Sequence, residues 1–201
     1  MSFRLRVAQS HMRHDLTPSH WSHVGLLTNG VASETVVEVP LDPEQGFDFP
    51  TPRNGRQDTP LRRFRSAAEF PNIAVFSLPL GADDVRAAVD RFEKTRPTLD
   101  ALRFVLQWLG FLWGVSGAGN PLHENVGIPS AIMLEFVTAS LRFDLTPGLE
   151  TRASCPEAIW QSAKWWEGYY TRSREVRLTG SYTLQHVIDW PVRGRRPRQP
   201  D

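Results

Sequence analysis

The spacing of apolar residues along the chain predicts several helices. Residues 82–95 carry apolar side chains at helical intervals, and residues 98–115 are apolar on most sides, as in a buried helix. Further helices are predicted over residues 129–141 and from Pro156 onward, because proline fits the first position of a helix. The buried stripe of the helix at residues 129–141 is expected to comprise Ile132, Met133, Phe136, Val137 and Leu141.

Runs of β-branched residues predict strands on either side of these helices. "HWSHVGLL", "ETVVEVPL" and "NIAVFSLPL" precede the helices, and "REVRLTGSYTLQHVIDW" follows them. This order indicates an α+β fold in which an antiparallel sheet packs against helices. Residues 42–63 are rich in Pro, Gly, Asp and Arg, which predicts a long surface insertion.

Composition indicates one domain and narrows the classes of partner. Of the 201 residues, 40% are apolar and 22% are charged, as in an ordinary globular domain, to which we assign residues 1–192. The Arg-rich residues 193–201 predict a disordered basic tail. A net charge of +1 gives no electrostatic argument for a nucleic-acid partner. The most apolar run, residues 104–115, is shorter than the roughly 18 residues that suggest a membrane span.

Two titratable side chains fall on the first two predicted strands. Asn29 and Gly30 between these strands predict a two-residue hairpin turn. In the resulting register His23 lies opposite Val36. Glu38 then shares a face with His23, one diagonal step away, with about 7–8 Å between the backbones. A carboxylate at that distance can orient an imidazole, although a longer turn would change the register.

Ser130 lies in the first turn of the helix predicted at residues 129–141. The free N–H groups and the positive end of the helix dipole stabilise an anionic nucleophile there, and a backbone N–H can bind an oxyanion. A cysteine would use this position better than a serine, which needs an aligned base to lose its proton. The local sequence also fits an ordinary helix-start serine.

These residues occur in an order that resembles the circularly permuted papain-like hydrolases, the NlpC/P60-related group. "SHVGLL" and "VVEV" are similar to the strand that opens with histidine and to the polar strand after it. "GIPSAIMLEFVTASLRFDLTPG" and "ASCPEAIWQSAKW" are similar to the helix that opens with the nucleophile and to the segments that trail it. The similarity runs from about Ser22 to Lys164. It implies that His23 is the general base, that Glu38 orients it, and that Ser130 occupies the nucleophile position.

The nucleophile of that group is a cysteine, whereas this chain has Ser130. A cysteine replaced by design, a natural serine nucleophile and a relative that binds without catalysis all fit the difference. The resemblance implies a cysteine-peptidase-like hydrolase that is inactive or weak with serine at this position. The implied substrate is bacterial cell-wall peptide, cleaved by an amidase or endopeptidase that serves as an antibacterial effector toxin. The alternatives are a non-catalytic binding protein of the same fold and a lipid or acyl hydrolase or acyltransferase.

The expected cellular setting depends on the same resemblance. Residues 1–15 lack the apolar core of a signal peptide, so we expect the chain in the cytoplasm of the producing cell. A leaderless secretion system would export it to a target cell envelope, with a cognate immunity or secretion protein as partner. We expect no cofactor, and no metal, because no paired ligand spacing is present. The other candidate site residues are Cys155, the one thiol of the chain, and the loop residues His123 and Glu124.

Overall fold

The computed structural model of this chain describes residues 2–31, 33–41, 52–95, 101–170 and 176–182. Within these ranges helices and antiparallel strands form an α+β fold. The helices are α1 (Ser2–Ala8), α2 (Ala82–Lys94), α3 (Ala101–Trp113), α4 (Pro129–Ser140) and α5 (Pro156–Tyr169). The strands are β1 (Thr28–Val31), β2 (Thr35–Glu38), β3 (Gln57–Pro60), β4 (Ile73–Ser77) and β5 (Arg177–Ser181).

Helix α2 forms where the apolar spacing predicts it. Its buried residues recur at helical intervals, and acidic side chains in its first turn and basic ones in its last turn complement the helix dipole. The aromatic ring of Phe92 is fully buried and meets Phe136 of α4 edge to face, with 5.6 Å between ring centroids. The buried stripe of α2 consists of Val85, Ala88, Val89 and Phe92.

Helix α4 is the central helix of the described fold, packed against both α2 and α3. Three residues of its predicted stripe are buried, but Phe136 and Leu141 are only partly buried. Polar residues that the stripe left out, Glu135 and Thr138, are buried as well. A helix that is buried on nearly every side is typical of a position inside a core rather than at its surface.

The strands form two small antiparallel sheets within the described residues, rather than one. Strand β2 pairs with β3, and β4 pairs with β5. Strand β3 lies inside the segment predicted as a surface insertion, where Val36 faces Thr59 across the ladder. Residues 42–51 of that segment and the predicted tail, residues 193–201, lie outside the described residues.

The prediction of a two-residue turn at Asn29 and Gly30 is wrong. Both residues lie within β1, and an isolated antiparallel bridge joins Leu26 to Val37. The connection between the bridged residues is therefore longer than predicted, and within it the backbone N–H of Asn29 donates to the hydroxyl of Ser33 (2.8 Å). A side chain that accepts a backbone hydrogen bond stabilises such a loop without a tight turn.

No helix among the described residues combines the length and the apolar character that a bilayer crossing requires.

Candidate functional site

His23 and Glu38 are in direct contact although the predicted turn is wrong. The bridge between Leu26 and Val37 places Val37, not Ser33, opposite Leu26, a shift by an even number of residues. Side chains alternate between the two faces of a ladder, so an even shift leaves every residue on its predicted face. His23 lies in the loop three residues before this bridge, outside any described strand, and Oε2 of Glu38 contacts Nε2 of its imidazole.

Glu38 is held as a carboxylate in a buried position. Its side chain is 6% exposed, whereas that of His23 is 31% exposed. Burial by itself raises the pKa of Glu38, but hydrogen bonds from His23 and Thr59 and the charges of His23 and Arg63 outweigh it. The net result is a pKa of Glu38 below its ordinary value, so the ionised form that accepts these hydrogen bonds dominates at neutral pH.

Thr59 and Arg63 are the members of this site that the sequence analysis missed. The hydroxyl of Thr59 donates to Oε1 of Glu38, the oxygen that His23 does not contact. Thr59 reaches it from β3, where it is the diagonal neighbour of Glu38 on the same face of the ladder. The flanking Pro, Gly and charged residues predicted a loop instead of strand β3. The one local indication of a strand was the β-branched side chain of Thr59.

His23, Glu38, Thr59 and Arg63 line a cavity of about 630 Å³. Its walls come from the loop that carries His23, from both described sheets and from helices α2, α4 and α5. This volume is within the range of small-molecule binding sites, roughly 300–1,000 Å³. The imidazole–carboxylate pair thus faces a space that a ligand can occupy.

Ser130 is not brought into hydrogen-bonding contact with this pair. It lies in the first turn of α4, as predicted, but it is 0% exposed and is not among the residues that line the cavity. Its hydroxyl has no hydrogen-bond partner among the described residues. Leu134 does line the cavity, one helical turn beyond Ser130 on the same face of α4, about 6 Å along the axis.

The start of α4 is fixed by main-chain contacts. The backbone N–H groups of Gly127 and Ile128 donate to the carbonyls of Arg152 (2.7 Å) and Ser154 (2.9 Å). The indole N–H of Trp108 donates to the Gly127 carbonyl (2.7 Å). A Cβ at Gly127 would lie 2.2 Å from the Ser154 carbonyl oxygen, so only glycine allows this close approach. These contacts set the position of Ser130.

The other candidates lie elsewhere. Cys155 is 0% exposed, and burial raises the pKa of its thiol to about 12, which disfavours the thiolate that a nucleophile needs. His123 and Glu124 are exposed in a short 3₁₀ helix and do not line the cavity. In the described part of the chain, no group of three or more His, Cys, Asp or Glu side chains is arranged to hold a metal ion.

No family model, no curated protein and no solved structure matches this chain.

Proposed function

We propose that this chain is a hydrolase that cleaves an acyl bond, an amide or an ester, in a permuted papain-like arrangement. The observation that carries the proposal is the contact between His23 and the buried, ionised Glu38 beside a ligand-sized cavity. A carboxylate held against an imidazole fixes its tautomer and stabilises its protonated form, which is what a general base in acyl transfer requires.

The roles of the two ring nitrogens follow from this contact. Nε2 of His23 is engaged by Glu38, so Nδ1 is the nitrogen that would accept a proton from the nucleophile. The proposed nucleophile is the Ser130 hydroxyl, which would attack the carbonyl carbon as its proton passes to Nδ1. The protonated imidazole would then donate to the leaving amine or alcohol, and water would release the acyl group.

Two features of Ser130 support its assignment. A buried hydroxyl with no hydrogen-bond partner costs stability, and such groups are retained more readily at functional sites than elsewhere. Ser130 also occupies the first turn of α4, on the face of the helix that continues into the cavity wall at Leu134. Its backbone N–H would supply one donor for the oxyanion. For the Ser130 hydroxyl to reach His23, the groups that now cover Ser130 would have to move.

The test is hydrolysis by the Ser130→Cys variant of purified peptidoglycan and of p-nitrophenyl acyl esters. We expect Ser130→Cys to exceed the unsubstituted chain in rate, because a thiolate forms more readily than an alkoxide. Adding His23→Ala should then remove roughly 10²–10⁴-fold of the activity. His123→Ala is the matched control, because His123 is exposed and does not line the cavity.

A non-catalytic binding protein of the same fold is the competing function. It is favoured by the burial of Ser130 away from hydrogen-bonding contact with His23. No gain by Ser130→Cys on either substrate class would support this alternative and would contradict the hydrolase. Cell-wall peptide remains the first amide substrate to test, because the resemblance to the NlpC/P60-related group implies it. If cell-wall peptide is the substrate, we propose that the protein is exported as an antibacterial effector and has an immunity protein as its partner.

A further inference from the structure

The cavity beside His23 has walls that are predominantly apolar. Strand β4 lines it over its whole length, and because strand side chains alternate, Ala74 and Phe76 share one face with Leu178 of β5, which also lines the cavity; all three are half-buried. On the helical side, Leu134 of α4 and Ile159 of α5 line it as well. Half-buried apolar side chains that face an interior space leave hydrophobic surface for a ligand to cover.

Few of the described side chains that line the cavity can carry a charge. Among the described residues, Glu38 and Arg63 are the acidic and basic side chains that line the cavity, together with His20 and His23. Both carboxylate oxygens of Glu38 already accept hydrogen bonds, from His23 and Thr59. Arg63 contributes to the low pKa of Glu38 through its charge. Of these groups, His23, Glu38 and Arg63 belong to the site that the proposed chemistry would use.

The remaining wall is predominantly apolar, with a few uncharged polar side chains such as Gln57 and Thr138, and is better suited to an apolar ligand than to a peptide or a glycan. A peptide or glycan that left water for this wall would lose hydrogen bonds that aliphatic and aromatic side chains cannot replace. A hydrocarbon chain loses none and gains from burial of its surface. We infer that the cavity binds the hydrocarbon chain of an acyl substrate, with its carbonyl at His23. This inference rests on the proposed function and specifies its substrate class.

The experiment measures binding of laurate to the full chain by isothermal titration below the micellar concentration, with butyrate as the short-chain comparison. We expect saturable binding of laurate and at least about tenfold weaker binding of butyrate, because each methylene buried adds to affinity. Ala74→Trp fills the cavity and should weaken laurate binding at least about tenfold. Ala87→Trp is the matched control, since Ala87 is exposed on α2 and does not line the cavity.

A second variant makes the result independent of the folding of the first. Phe76→Glu places a charge in the same wall, on the face of β4 that carries Ala74, and it should weaken laurate binding by a similar factor. Circular dichroism establishes that each variant is folded. Absence of laurate binding, or equal binding by the folded cavity variants and Ala87→Trp, would overturn the inference.

Hydrolysis assays separate this inference from the proposed function. Cleavage of peptidoglycan by a chain that does not bind laurate would uphold the hydrolase and overturn the acyl-chain site. Laurate binding without hydrolysis of any substrate by Ser130→Cys would uphold the site and overturn the hydrolase. Faster cleavage of p-nitrophenyl laurate than of p-nitrophenyl acetate, reversed by Ala74→Trp, would support both.

Discussion

Ser130 and Ser154 are both completely withdrawn from solvent, and they differ in what their hydroxyls contact. The Ser154 hydroxyl donates to Oε1 of Glu135 (3.2 Å), whereas that of Ser130 has no partner among the described residues. A satisfied buried hydroxyl contributes to stability, and an unsatisfied one lowers it. These two serines therefore offer a matched comparison on one scaffold.

Ser130→Ala should stabilise the fold by up to about 1 kcal/mol, because it removes an unpaired buried polar group. Ser154→Ala should destabilise it by about 1 kcal/mol, since Glu135 loses a donor. Urea unfolding followed by tryptophan fluorescence measures both changes. A loss of stability in Ser130→Ala equal to that in Ser154→Ala would show that the Ser130 hydroxyl is satisfied and would weaken its assignment as the nucleophile.

Thr59 stabilises the ionised form of Glu38, and this has a definite consequence for pH dependence. The pKa of Glu38 is lowered, so the stability that its ionised form contributes is fully present above the ordinary value of 4.5. That contribution is lost as the pH falls through the lower pKa of the folded protein. Removal of the Thr59 hydroxyl raises the pKa of Glu38 and reduces the contribution.

Thr59→Val should therefore cost about 1.5–3 kcal/mol near neutral pH, as for a hydrogen bond to a charged group. The difference from the unsubstituted chain should narrow as the pH falls through the folded-state pKa of Glu38. Urea unfolding at a series of pH values measures this. Thr35→Val, at an exposed position of β2, is the control and should have little effect. The same loss at every pH would contradict the role assigned to Thr59.

Regular elements differ in how far local sequence specifies them. Helix α2 is specified almost completely, because its apolar spacing, its acidic first turn and its basic last turn all agree. The hairpin was not specified by its local sequence, because Asn29 and Gly30 are strong turn residues and yet lie inside β1. Strand β3 has weak strand propensity and forms by pairing with β2. Helix α1 was missed, and "SFRLRVA" carries few helix signals on its own.

Two leucines on α3 test whether the stability of that helix comes from its buried face. Leu109 is 4% exposed and Leu106 is 49% exposed on the same helix. Leu109→Ala should cost about 2–5 kcal/mol because it leaves a cavity in the core. Leu106→Ala should change stability by less than about 0.5 kcal/mol. Equal effects in chemical denaturation would mean that α3 is not packed as described.

At the scale of the whole molecule, the side chain of Gln9 joins the N-terminal segment to α5, a contact that the local sequence does not reveal. Its side chain is 0% exposed, and its amide N–H groups donate to the carbonyls of Leu5 (3.0 Å) and Trp21 (2.9 Å). Its carbonyl accepts from the backbone N–H of Glu157 (2.8 Å) in the first turn of α5. Glu157, also fully buried, accepts from the Ser19 hydroxyl (2.6 Å). This network joins the N-terminal segment to α5.

Gln9→Ala should destabilise the chain by about 2–4 kcal/mol, because it removes the partner of the buried Glu157 N–H and of the part-buried Trp21 carbonyl. Val7→Ala, at a 42% exposed position of α1, is the control and should change stability little. Thermal unfolding monitored by circular dichroism compares the two. An effect of Gln9→Ala no larger than that of Val7→Ala would mean that the network does not hold α1 to α5.

The sequence by itself determined the α+β class and helices α2 to α5 to within a few residues, and it predicted the contact of His23 with Glu38 from a turn that proved wrong. Each of these predictions depends on a short repeat in the sequence, either helical spacing or the two-residue alternation of a strand. The alternation still gave the correct face after an incorrect turn, because the shift in register was even. Tertiary structure alone decided the contact of Thr59 with Glu38, the burial of Ser130 and the cavity. These depend on which distant segments meet, and that is set by the packing of the whole core rather than by the residues on either side.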